Sequence, residues 1–287
     1  MLNNLFRLDG IPTVIALDST MPSMSPNDVV SNIVFPPAEW KAPTSTIRKV
    51  TFRGVAFSRA TLSRVTFTNC TFEDCLFLGT QFSEVEFHSC SFVDCNLWKA
   101  RFTQVYLNPD CIKLDQRFKT EAANAGISVF QALLSNFANE RQDQFYMAAD
   151  MHFRRWKRYQ IWHDFRRKHL TRTEAWWRWS SSIIYERLAG FGYRPFRFFC
   201  ATVVLFFAVS CMNYWLIGDA VDIGNLRAHH ASFVDSVFYT FSIMTVLGFS
   251  SIVPATDVAK ILAVSEALVA IGWLSIFTSI LVKRFLR

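Results

Sequence analysis

TFRGVAFSRATLSRVTFTNCTFEDCLFLGTQFSEVEF, residues 51–87, repeats itself every five residues. Carried to its limits, the frame places Phe52, Phe57, Leu62, Phe67, Phe72, Phe77, Phe82, Phe87, Phe92, Leu97, Phe102 and Leu107 at one position. Phenylalanine is 29 of 287 residues, so nine at twelve fixed places is a pattern. Two residues before each comes a small side chain: Val50, Val55, Ala60, Val65, Cys70, Cys75, Thr80, Val85, Cys90, Cys95, Ala100 and Val105. A helix repeats at 3.6 residues and a strand at two, so a period of five predicts stacked short repeats, a solenoid.

Residues 50–107 resemble the pentapeptide-repeat family. The resemblance implies a right-handed quadrilateral β-helix of four pentads per coil, here about three coils, with the large residues filling its axis. Each buried Phe or Leu contributes about 1.5–3 kcal/mol, and stacked neighbours supply the stability that one repeat lacks. Cys70, Cys75, Cys90 and Cys95 have a spacing that invites a zinc reading, but all four fall in the small inward column. They are expected as buried thiols acting as small apolar groups, with no metal. Outward charges are mixed (Arg53, Arg59 and Arg64, then Glu73, Asp74, Glu84 and Asp94), which does not imitate a phosphate backbone. Residues 1–49 are expected as an irregular N-terminal cap. Their start lacks the basic and apolar regions of a signal peptide.

Residues 108–193 read as a helical linker. Asn108, Pro109 and Asp110 mark a turn that ends the solenoid. Ser128 and Gln131 have capping-box spacing before a helical pattern that runs to about Leu170, and Thr171 with Glu174 opens a second helix. In the first helix Phe153, Trp156, Tyr159, Trp162 and Phe165 recur every three residues among Arg154, Arg155, Arg158, Arg166 and Arg167. This mixture suits a helix against anionic lipid or one that couples the solenoid to a membrane domain. Nucleic acid is not expected as a partner.

Two runs in residues 194–287 are long and apolar enough to cross a bilayer, 198–217 and 261–282. Arg187, Arg194 and Arg197 precede the first, and Lys283, Arg284 and Arg287 follow the second. Between the spans only Arg227 precedes Lys260, so both termini are expected in the cytoplasm. The net charge of +7 fits attraction to an anionic inner leaflet. Between the spans, Ser232 and Asp235 start an apolar run, 233–244, too short to cross. MTVLGFSSIVP, residues 244–254, then breaks it with a glycine, two serines and a proline. Irregular backbone at membrane depth is tolerated where protein buries it or a watery path runs beside it, so the segment is expected to line a pore.

Span, short helix, irregular loop and span resemble the two-transmembrane pore-loop channels, the potassium-channel-like superfamily. Pentapeptide repeats joined to such a pore resemble a bacterial inner-membrane architecture. The resemblance implies four subunits, each giving one loop, 245–250, to a central selectivity filter whose carbonyls replace an ion's hydration shell. The filter residues carried over are Thr245, Val246, Leu247, Gly248, Phe249 and Ser250. Three positions depart from the family pattern. Val246 replaces a threonine, Ser250 a glycine and Ser251 an acid that braces the loop. They point to a cation channel weakly selective or non-selective between potassium and sodium, with those ions as its only cofactors.

Ser251, Asp235 and Glu266 are expected to support the filter. Glu266, a charge within the second span, has three readings: a brace accepting hydrogen bonds from filter backbone or pore-helix groups, an ion or proton site, or a side chain snorkelling to the interface. The first is favoured. Gly272 is the candidate gating hinge, or simply permits close packing. Ser275 and Ser279 are candidate cavity residues, with Thr278 competing for that face. His229 and His230 read as solvated loop residues.

No P-loop, nucleophile elbow or histidine pair at metal spacing is present, so an enzyme is not expected. The expected function is a tetrameric, lipid-embedded channel gated through its cytoplasmic domain by an unknown ligand or protein. A membrane-depolarising defence or toxin effector, or a non-conducting membrane-tethered scaffold, is the alternative.

Overall fold

The structure, a computed structural model, describes residues 12–15, 24–40, 42, 44–223, 232–245, 252–254 and 257–285. The chain divides into two compact units, Met1–Ser180 and Ser181–Arg287.

The first unit is a β-solenoid. Strands pair in parallel with the strand four pentads later: Thr51–Arg53 with Thr71–Glu73, and that with Ser91–Val93. Two more parallel sheets repeat this register, and bridges linking Val34, Ala56, Leu76 and Asn96 complete a fourth side. Each strand's middle residue points to the axis, which stacks like rings on one another. Phe52 and Phe72 lie 5.0 Å apart, Phe72 and Phe92 4.7 Å, and Phe67 and Phe87 5.1 Å, all near parallel. These distances follow the 4.7–4.9 Å spacing of paired strands.

The small column has its own chemistry. Cys75 Sγ donates to the carbonyl of Phe52 (3.3 Å), Cys95 Sγ to Phe72 (3.3 Å) and Cys90 Sγ to Phe67 (3.4 Å). Thr80 Oγ1 does the same to Phe57 at 2.6 Å. A small donor therefore ties each coil to the previous one while burying little polar surface. Burial pushes the Cys95 thiol well above its usual range, which keeps it a protonated donor. All seven cysteines are free, and no three potential metal ligands cluster among the described residues.

The turn residue of each pentad is left-handed, as at Arg59 (φ 60°), Arg64 (50°), Asp74 (49°) and Glu84 (55°). This costs a non-glycine residue of order 1–2 kcal/mol. Interstrand hydrogen bonds at the same residues offset it, such as Arg59 N–H to Leu78 O at 2.9 Å and Asp74 N–H to Val93 O at 3.0 Å.

The solenoid is longer than 50–107. Val29–Ser31, Glu39–Trp40 and Thr46–Arg48 form a further coil beneath Thr51–Arg53, Thr61–Ser63 and Thr66–Thr68. Residues 29–48 are thus not an irregular cap. Val30, Phe35, Trp40 and Ile47 take the axial place, and two extra residues before Ile47 break the period that revealed the rest. At the other end Ile112–Lys113 adds a strand beyond Ser91–Val93, after a turn in which Asn108 Oδ1 accepts from Asp110 N–H (3.0 Å).

Three helices close that end: α1 (Gln116–Glu121), α2 (Ala123–Asn139) and α3 (Asp143–Arg166). The predicted start at Ser128 and single long helix are both corrected. Ser128 lies inside α2, and Arg141 (φ 54°) turns the chain before α3. α2 buries Val129, Phe130, Leu133 and Phe137 in the solenoid's core cluster. α3 packs behind it, where Trp156 fills the space left by Gly126: a Cβ there would lie 2.2 Å from the indole.

α4 (Arg172–Ala189) starts with the predicted box, Thr171 N–H donating to Glu174 Oε2 (3.0 Å) and Glu174 N–H to Thr171 Oγ1 (3.3 Å). Those bonds hold the Glu174 carboxyl below its usual range. In the second unit, α5 (Pro195–Ala220), α6 (Phe233–Met244) and α7 (Asp257–Phe285) pack together. Val221–Ile223 pairs antiparallel with Ile252–Pro254.

Candidate pore site

α6 begins where the sequence marks it. Ser232 Oγ accepts from Asp235 N–H (3.2 Å), and Asp235 Oδ2 accepts from Ser232 N–H (2.8 Å), a complete capping box. At 12 residues the helix is about 18 Å long, well short of the roughly 30 Å of a bilayer core. One face, Ser236, Tyr239 and Thr240, is buried, whereas Phe233, Val234, Phe238 and Phe241 are exposed.

Thr245 closes α6, its N–H donating to Phe241 O at 3.0 Å and its Oγ1 to the same carbonyl at 2.6 Å. The expectations for Val246, Leu247, Gly248, Phe249, Ser250 and Ser251 lie outside the described residues, as do those for His229 and His230. The ribbon of Val221–Ile223 and Ile252–Pro254 ties the chain after this segment to the end of α5.

The flanking helices are built for lipid. Pro195–Trp215 and Lys260–Val282 have mean hydropathies of 1.8 and 1.9, and only 11% of either apolar window is buried, unlike the core helix of a soluble protein. Residues 198–287 match the ion channel family, and residues 47–91 match pentapeptide repeats, nine copies. The chain thus joins a β-solenoid that matches pentapeptide repeats to a helical region that matches the ion channel family. Curated proteins and solved structures give no match. The ion-channel domain places the protein in a membrane and points to a non-enzyme.

Within the ion-channel domain, Glu266 is 7% exposed although α7 is largely exposed around it. Among the described residues, its hydrogen-bond partner lies on α5. Oε2 accepts from Asn213 Nδ2 on α5 at 3.1 Å, and the same amide nitrogen donates to Thr240 Oγ1 on α6 at 2.9 Å. The bond from Asn213 ties the carboxylate to α5, and its burial leaves it little open to the surface of this chain. Oε1 of Glu266 is buried without a partner among the described residues. Asn213 and Thr240 were missed. A lone asparagine in an uncharged span was the available signal, since polar groups are expensive at that depth.

The other predicted site residues separate. Asp235 caps the end of α6 away from Thr245, so its carboxylate engages its own helix start. A Cβ on Gly272 would meet nothing within 4 Å, so no neighbour among the described residues requires glycine there. Ser275 Oγ donates to Ile271 O (2.9 Å), as Thr278 does to Leu274 O (2.9 Å); both they and Ser279 are exposed. A cavity of about 440 Å³ beside Thr202, Phe241, Thr245 and Trp273 is almost wholly apolar and offers an ion few ligands.

In α3, Trp156 is 5% exposed in the cap's core, which corrects its lipid-facing reading. Phe153 and Tyr159 also pack on that core. Arg154 pairs with Asp150 at 2.8 Å, and Arg155 and Arg158 are half-buried. Arg166, Arg167 and Trp162 are exposed, and Trp162 lines a groove of about 770 Å³ with Trp176 and Trp177.

Proposed function

We propose that the chain is a gated cation channel of the bacterial inner membrane, with both termini cytoplasmic. Four copies surround one axial pore that passes monovalent cations, potassium and sodium, with weak or no selectivity. The observation that carries this reading is a capped 12-residue helix between two spans, inside the region that matches the ion channel family. Four such helices turn their negative C-terminal ends toward the axis, which favours cations. The departures at Val246, Ser250 and Ser251 support relaxed selectivity. The solenoid, bound by a cytoplasmic ligand or protein, biases the open or closed state; such a trigger must bind the two states differently. A normally closed pore of this kind depolarises the cell when triggered, as a defence or toxin effector does.

Reversal potentials of purified protein in liposomes test the reading. A potassium-to-sodium permeability ratio above about a hundred rejects weak selectivity, because only an intact carbonyl filter discriminates so strongly. The same three departures favour one other reading, a membrane-tethered scaffold with a closed pore. A tetramer that passes no current under any condition supports the scaffold. A current abolished by replacing Gly248 with valine supports the channel.

A further inference from the structure

Two polar rungs, one helical turn apart, hold α6 to α5. Ser236 Oγ donates to the carbonyl of Ser210 at 2.6 Å, and Asn213 Nδ2 donates to Thr240 Oγ1 at 2.9 Å. Only the second rung reaches α7, because Asn213 Nδ2 also donates to Glu266 Oε2 at 3.1 Å. An amide nitrogen has two hydrogens, so one side chain serves both acceptors. The three residues are 2%, 0% and 7% exposed. With little water to replace a lost bond, an unpaired group there is costly. Among the described residues, the other polar link between α5 and α7 is Trp273 Nε1 to Thr202 Oγ1 (2.8 Å), which leaves α6 aside.

We propose that Asn213 is a positioning residue that couples the inner helix α7 to the pore helix α6 and thereby sets which cations pass. The inference rests on the channel reading above. Thr240 lies five residues before Thr245, about 7.5 Å along α6. A displacement of Glu266 turns the Asn213 amide, and the bond to Thr240 shifts with it because both start at one nitrogen. Leucine has the same heavy-atom count and branching and donates to neither acceptor. It would leave Glu266 Oε2 as bare as Oε1 is now. Asn213 therefore does what the backbone rung at Ser210 cannot, linking three helices at one atom.

The test is the potassium-to-sodium permeability ratio of the full-length protein in liposomes under bi-ionic conditions. Asn213→Leu and Glu266→Leu each change the ratio by about threefold or more. The double variant goes no further than either single one, because both remove the same link. Glu266→Gln stays within about twofold of wild type, its amide oxygen still accepting from Asn213. A wild-type ratio in Asn213→Leu, or additive shifts of the two leucine variants, overturns the proposal. Should Asn213→Leu fail to assemble, the exchange of Asn213→Glu with Glu266→Asn rebuilds the pair in reverse. Recovery of the wild-type ratio then supports the coupling, and assembly without recovery overturns it. A wild-type protein that passes no current sinks the channel reading instead. The coupling is then read from thermal unfolding in detergent, where additive losses for the two leucine variants overturn it.

Discussion

The side-chain amide of Asn136 takes the place of a next coil for Val105. Its Nδ2 donates to the Val105 carbonyl at 2.8 Å and its Oδ1 accepts from the Val105 N–H at 3.0 Å, both buried. A solenoid end exposes strand edges that pair with any other edge; here α2 covers that end and one side chain satisfies two of its backbone groups. Asn136→Leu leaves both groups buried and unpaired, each costing about 1–3 kcal/mol, for a loss of about 2–5 kcal/mol. Thermal unfolding of the purified protein followed by circular dichroism measures it. A midpoint equal to wild type would contradict this role.

Gly126 is fixed by the indole of Trp156, which occupies the space of its missing side chain. Gly126→Val forces α2 and α3 apart and destabilises by about 1–3 kcal/mol or more. Adding Trp156→Leu to that variant recovers part of the loss. Chemical unfolding curves of the single and double variants check the pair, and a double variant less stable than Gly126→Val would refute the contact.

Alkaline pH probes the thiol column. Burial holds Cys95 well above the usual 9.0 and pushes Cys111 up to about 12. Above about pH 9 the unfolded chain releases these protons while the folded chain keeps them, so stability falls as pH rises toward about 12. Below about pH 9 both states stay protonated and these groups give no slope. Cys95→Thr places a non-titrating hydroxyl at the same pentad position from which Thr80 donates to Phe57 O, and flattens the decline. Melting temperatures across that pH range decide it, and an unchanged slope would show that Cys95 is not responsible.

Asp235 and Glu266 separate under mutation, although both are acidic residues near the proposed pore. Asp235 engages Ser232 N–H at the start of α6. Asp235→Asn therefore leaves the permeability ratio at the wild-type value and lowers only thermal stability. A changed ratio in bi-ionic recordings would return Asp235 to the filter's support.

What was legible along the chain was local or periodic. The pentads between Val50 and Leu107 advertised their coils because each supplies the same two inward side chains. The boxes at Thr171–Glu174 and Ser232–Asp235 were readable because both partners lie within one turn. The coil at residues 29–48 was hidden by two inserted residues and by Trp40 and Ile47 standing where Phe is the rule. Ser128 had a cap's spacing but lies inside α2, since the burial of Ala123, Ala125 and Gly126 starts that helix earlier.

By itself the amino-acid order determined a solenoid, two lipid-compatible spans and a short capped helix between them, because period, apolar length and capping are properties of neighbouring residues. Only the tertiary structure decided that Trp156 is core, that Asn136 closes the last coil, and that Asn213 joins Glu266 to Thr240. Those partners stand 31 and 53 residues apart for Asn136–Val105 and Asn213–Glu266. A buried polar side chain must find a mate, but its composition does not say which distant residue the packing will bring within 3 Å.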